Sequence, residues 1–177
     1  MKRQGMTMIG LATLGLALWG GVAISAQDKY TVKVPGGLAF SEFRGYESWE
    51  LISISHDGPV MAATLGNAAM IAAYKKGYPG NGKPFPDGSK IAKIHWKMKK
   101  STEAPAPTVV PDTLENADFI ERDSKRFPDT GGWGYAQFNY DPASDTFTPD
   151  GSDASCGHAC HTIVAAKDYI FTAYGKR

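Results

Sequence analysis

The sequence predicts an α+β domain, mainly an antiparallel β-sheet with a few short helices packed around it. Three observations point there. Stretches that alternate apolar and polar residues recur along the chain, as from Ser89 to Lys99. Turn sequences rich in Gly and Pro, such as Asp57-Gly58-Pro59, separate them. One segment, Ala68 to Lys76, has the composition of a clear helix, with alanine dominant, Asn67 placed to cap its first turn, and Lys75 and Lys76 at the end where the dipole favours cations.

Taken in order, Tyr30 to Val34 alternates and reads as a short strand closed by Pro35-Gly36-Gly37. Phe40, Phe43 and Tyr46 recur every third residue, which places them on one face of a short helix over Leu38 to Tyr46. Aromatics so spaced serve a core, and in a small cofactor protein the same residues can also wall the cofactor. Glu47 to His56 is a strand, the Asp57-Gly58-Pro59 turn reverses the chain, and Val60 to Leu65 is its antiparallel partner. Gly77 to Gly88 is a surface loop. In the strand from Ser89 to Lys99, Ala92, Ile94, Trp96 and Met98 point one way and Ile91, Lys93, His95, Lys97 and Lys99 the other.

Pro105, Pro107 and Pro111 mark Ser101 to Asp112 as a connecting loop. Asp118 to Arg122 is a short strand, and Asp123-Ser124 opens a helical turn through Phe127 that Pro128 to Gly132 ends. Trp133 to Tyr140 is a strand whose Gly134 and Ala136 leave room either for a flat macrocycle or for a closely packed neighbouring helix. Asp141 to Ser155 is polar and loop-like. A short helix begun at the cysteines continues over Thr162 to Ala166, and Tyr169, Phe171 and Tyr174 suggest a last strand over Asp168 to Tyr174.

The amino end reads as an export signal over residues 1–26, ahead of one domain over 27–177. Lys2 and Arg3 precede an apolar run from about Met8 to Ile24, with small residues at Ala23, Ser25 and Ala26 for cleavage. An uncleaved anchor is the rival reading, although the run is short and rich in Gly and Ala for a span. Either way the domain is expected to be periplasmic or otherwise exported. Its roughly 150 residues suffice for one core. Without Lys2 and Arg3 the chain carries 17 Lys and Arg against 18 Asp and Glu, a balance that argues against nucleic acid as a partner.

Both cysteines lie in Ser155-Cys156-Gly157-His158-Ala159-Cys160-His161-Thr162. Two thiols and an adjoining imidazole suit covalent attachment of haem near the carboxyl end, with His161 as axial ligand to iron. The usual spacing is C-x-x-C-H, and here it is C-x-x-x-C-H. Cys160 and His161 remain neighbours, so a thioether from one and an iron bond from the other keep ordinary local geometry. Gly157 is expected to absorb the added residue as a bulge and let Cys156 reach the second vinyl group. Two other readings use the same residues: a Cys156–Cys160 disulfide in an oxidising compartment, and a Cys/His metal site with His158 and His161, for which no further cysteine completes a sulfur-rich shell.

A set of ordered motifs accompanies the cysteines. It comprises Tyr46-x-x-Trp49, Leu65-Gly66-Asn67, Pro84-Phe85-Pro86-Asp87-Gly88, Ile91-Ala92-Lys93-Ile94-His95-Trp96-Lys97, Asp123-Ser124-Lys125-Arg126-Phe127, Gly131-Gly132-Trp133-Gly134, and Cys160-His161-Thr162 followed by Asp168-Tyr169-Ile170-Phe171-Thr172. With these motifs the chain from about Tyr46 onward resembles the cytochrome P460 family, which includes the β-sheet form of cytochrome c-prime. The resemblance implies an antiparallel sheet carrying haem c, often in a homodimer, with a histidine axial ligand and an open distal side. In hydroxylamine-oxidising members it also implies a lysine bonded to the porphyrin, and by motif that position is Lys93. The departure is the extra residue between the cysteines. Alternation alone gives Lys93 and His95 to solvent; the two readings agree if haem covers that face.

Sixth-ligand candidates are Met61, Met70, Met98, His56, His95 and His158, with His95 the chief endogenous rival because it shares a face with Lys93. Distal groups that could take or give a proton or hydrogen bond are His95, Glu50, Glu121 and Gln137. Two function classes follow. One is an enzyme that oxidises hydroxylamine or a related nitrogen compound and passes electrons to a redox partner such as another cytochrome. The alternative is a non-catalytic nitric oxide-binding or electron-transfer cytochrome.

Overall fold

The computed structural model describes residues 26–177, so the export signal expected over residues 1–26 lies outside the described residues but for Ala26. Six antiparallel strands form one sheet in chain order: β1 (Glu50–Asp57), β2 (Val60–Gly66), β3 (Lys90–Lys100), β4 (Val109–Arg122), β5 (Trp133–Asp141) and β6 (Thr146–Asp150). Gly58, at φ 52°, and Pro59 form the tight connection between β1 and β2. Helix α1 (Ala68–Lys75) crosses from β2 toward β3, and α2 (Ser155–His161) carries both cysteines. The Asn67 side chain accepts from the backbone of Met70 at 3.0 Å and of Lys90 at 3.1 Å, so one amide both caps α1 and ties it to β3.

Strand register sorts the side chains into two faces, because residues directly opposite one another share a face. The rows Ala92, Phe119, Ala136 and Ile94, Ala117, Phe138 lie on the first face. It is closed by the 3₁₀ turn Phe40–Phe43, whose Phe43 stacks on Phe119 at 4.3 Å and whose Phe40 meets the same ring edge-on at 4.9 Å. Such pairs add about 0.5–1.5 kcal/mol each beyond the area they bury. On the second face Ile91, Ile120 and Tyr135 form one row. There α1 and the loop over 77–88 cover the end of the sheet, with Tyr74 against Phe85 at 5.0 Å and Phe85 against Trp133 at 6.1 Å. Further along that face the rows turn polar: Lys93, Asp118, Gln137 and then His95, Asn116, Asn139.

Several local expectations are corrected. Tyr30 to Val34 is not a strand: Lys29–Thr31 is a 3₁₀ turn capped by Asp28, followed by an isolated bridge between Lys33 and Ala39. The helix expected over Leu38 to Tyr46 is two 3₁₀ turns, Phe40–Phe43 and Tyr46–Ser48, with the three aromatics buried as the spacing predicts. β4 is 14 residues long and starts inside the proline-rich stretch, with Pro111 paired to Met98 next to a slip in the register with β3, the kind of irregularity where a strand tolerates proline. The loop read over Asp141 to Ser155 contains β6, an edge strand that buries only Phe147 and is polar elsewhere. Asp168 to Tyr174 is not a strand, because Asp168 and Tyr169 both take left-handed backbone angles (φ 52° and 62°) that end any extended run. Ile170 is nonetheless buried in the core.

Candidate functional site

Helix α2 lies across the second face and is placed by three contacts. Asp153 accepts from Ser155 at both its backbone nitrogen (2.8 Å) and its hydroxyl (2.5 Å), which fixes the start of the helix. Ring–ring contacts set Tyr135 beside His161 at 4.9 Å and His158 beside Tyr169 at 5.1 Å. Gly157 rests on Tyr135 so closely that a Cβ there would lie 2.6 Å from the ring's own Cβ. The bulge expected at Gly157 is therefore absent. The residue is part of a regular helix, and its missing side chain serves close packing. The extra residue between the cysteines is instead accommodated by the helix itself. Four residues advance about 40° past a full turn, against about 60° short of it for three. Cys156 and Cys160 thus share one helical edge, and both are exposed free thiols.

His161 is half-buried, and its Nδ1 donates to the Tyr169 carbonyl at 2.5 Å. That bond fixes the tautomer and leaves Nε2 as the free ligand atom. Burial holds the ring's pKa below its ordinary value, against the Tyr169 hydrogen bond that raises it, so the neutral, metal-binding form prevails at pH 7. The positive charge of Lys93 acts in the same direction, which places Lys93 within electrostatic reach of His161.

Between α2 and the sheet lies a cavity of about 270 Å³ whose wall includes Cys156, Cys160, His161, Asp118, Gln137 and Asp150. Lys93 and His95 stand beside it on β3, next to Asp118, with His95 Nδ1 at 3.7 Å from Asp118 Oδ2. Burial pushes the Asp118 carboxyl up to about 6; Lys93 opposes the shift and Asp150 adds to it. A third of the Asp118 side chain is still accessible. His95 is held below its ordinary value, first by burial and then by Lys93. Gln137 donates from its amide to Asn139 at 3.1 Å, which orients it on β5.

Other sequence candidates lie elsewhere. Glu50 is on the edge strand, bonded by Tyr174 and paired with Lys75, and Glu121 faces the opposite side of the sheet in an ion pair with Lys90 at 3.2 Å. His56 bonds Gly58 in the β1–β2 turn and Met61 pairs with it across the hairpin, while Met70 is fully buried in the core. Gly134 makes room for the Phe127 ring, since a Cβ there would come within 2.3 Å of it, so the space is filled by a ring from the turn between β4 and β5 and not by a helix or a macrocycle. Asp118 was missed. Its signal was a lone carboxylate in the apolar run Ala117-Asp118-Phe119-Ile120.

The residues present fit a haem. One imidazole with a free Nε2 beside two free thiols on the same helix is the donor set a covalently held macrocycle would complete. His95 Nδ1, Asp118 Oδ1, Asn116 Oδ1, Tyr135 Oη and His158 Nδ1 are buried without hydrogen-bond partners, concentrated on the face below α2. Buried polar atoms left so call for a further group at the site. The Cytochrome P460 family model matches residues 43–172. The chain belongs to the cytochrome P460 family. No curated protein matches it. As a cytochrome P460 family member it is a haem protein, of a family linked to hydroxylamine and related nitrogen chemistry. That match spans β1 to the end of α2 and beyond, and so includes the whole polar face described above.

Proposed function

We propose that this cytochrome P460 protein is an exported haem c protein that oxidises hydroxylamine or a related small nitrogen compound and hands the electrons to a redox partner such as another cytochrome. Cys156 and Cys160 carry the thioethers, His161 Nε2 binds iron, and Lys93 is the residue that bonds the porphyrin. A haem held there would supply an iron able to take electrons from the substrate. The chain's own groups manage the protons. Asp118 is ionised above pH 6 and takes a proton from the substrate side; His95, neutral at pH 7 and 3.7 Å away, takes it onward. Gln137 offers its amide as a hydrogen-bond donor at the cavity wall. A homodimer accords with the family resemblance.

The observation that carries this reading is the row Lys93, Asp118, Gln137 on the face beneath α2: Asp118, a carboxyl of raised pKa, and Gln137 line the cavity with His161, and the Lys93 amine belongs to the neighbouring strand position paired with Asp118. Holding nitric oxide or passing electrons would need no such proton acceptor. The test is turnover of hydroxylamine by the purified protein with an artificial electron acceptor, together with its absorption spectrum. Turnover with a red-shifted band supports the enzyme. Nitric oxide binding with an ordinary c-type band and no turnover supports the binding cytochrome instead.

A further inference from the structure

We infer that Asp168 and Arg122 are positioning residues for His161: together they hold a left-handed turn whose carbonyl fixes the imidazole. The inference rests on His161 being the axial ligand, as proposed above. Asp168 and Tyr169 are consecutive non-glycine residues at φ 52° and 62°, a conformation that persists only where its surroundings impose it. Three contacts impose it. The Asp168 carboxylate accepts from Arg122 Nη1 at 2.8 Å and from the Phe85 backbone at 2.7 Å. The same Nη1 donates to the Gly131 carbonyl at 2.8 Å. The Tyr169 ring then closes over Gly131, where a Cβ would lie 2.3 Å from it.

A buried ion pair is a poor device for stability alone, since desolvation offsets its attraction. Here both side chains are largely buried, at 12% and 10% exposure, and burial raises the Asp168 pKa in spite of Arg122. What the arrangement produces is direction. It turns the Tyr169 carbonyl onto His161 Nδ1, and an imidazole that donates such a hydrogen bond is a stronger electron donor at Nε2, which favours ferric over ferrous iron. The Arg122–Asp168 pair also joins the end of β4 to the segment after α2, so the ligand's orientation is set by the sheet and not only by its own short helix.

The test measures the reduction potential and the ferrous iron–imidazole stretching frequency of the holoprotein, with melting temperature on the same samples. Asp168→Asn keeps an acceptor for Phe85 but removes the anion facing Arg122. It is expected to shift the ferric–ferrous equilibrium about tenfold toward ferrous, roughly 59 mV for one electron, and to lower the stretching frequency. Arg122→Lys keeps the charge but loses the planar guanidinium whose Nη1 bonds Asp168 and Gly131 together; it moves both readouts the same way by less, and serves if the first variant does not load haem. Arg126→Gln breaks an ion pair with Glu42 in the amino-terminal 3₁₀ turn and is expected to lower the melting temperature without moving the potential. Unchanged potential and frequency in the Asp168 and Arg122 variants, whatever their melting temperatures, overturn the positioning role. A wild-type holoprotein without imidazole-bound iron overturns the ligation reading, and the inference with it.

Discussion

Asp118 illustrates how a single residue couples stability to chemistry. Its carboxyl is raised from 3.8 to about 6 because folding buries it beside Asp150, with Lys93 only partly compensating. A carboxyl raised in the folded state favours folding fully below its unfolded pKa, and that contribution is lost as pH rises through the folded value. Asp118→Asn is therefore expected to stabilise the protein at pH 7.5 by about 1 kcal/mol, a figure discounted for partial exposure, with the advantage gone below pH 4. Denaturant titrations at the two pH values measure it. The same substitution should lower hydroxylamine turnover by about 100-fold or more and abolish the rise in rate through pH 6. Strand alternation put Lys93 and His95 on one face of β3, the face now seen beneath α2, whereas only strand pairing shows that Gln137 shares it. Sequence reading could not find Asp118, whose character comes from Lys93 and Asp150, brought alongside only by strand pairing.

At the scale of elements, α2 is the piece whose seating decides everything around it. Gly157→Ala gains helix propensity of about 1 kcal/mol but drives a methyl group into Tyr135. Overpacking of this kind costs about 1–3 kcal/mol, so a net loss of stability is expected in thermal melts, along with weakened imidazole ligation in the ferric spectrum. The elements legible in the sequence were those with strong local signals: the β1–β2 hairpin at Asp57-Gly58-Pro59, α1 behind its Asn67 cap, and β5. β6 was not legible because an edge strand open to solvent needs no apolar alternation. The expected last strand failed for the opposite reason: its aromatics suggested alternation, but Asp168 and Tyr169 take left-handed angles beside Arg122, and Tyr174 stacks on Tyr74 of α1 instead of joining the sheet.

Across the whole molecule the sheet divides its labour between faces. One is sealed by Phe40, Phe43, Phe119 and Phe138, and supplies the rigidity; the other is polar and carries α2. Phe43→Ala, which removes the stacked ring from a fully buried position, is expected to cost about 3–5 kcal/mol in denaturant unfolding yet leave the absorption bands of the folded protein in place. The fold class and family were readable before any coordinates, since motifs spread from Tyr46 to Thr172 must all be met in order. Which residues lie over one another was not.

A porphyrin bonded through sulfur to α2 is the feature on which the proposed chemistry stands. Intact mass of the denatured protein, produced in cells able to mature cytochromes, tests this directly. A mass equal to the processed polypeptide plus one haem is the expected result, and a mass equal to the polypeptide alone would contradict it.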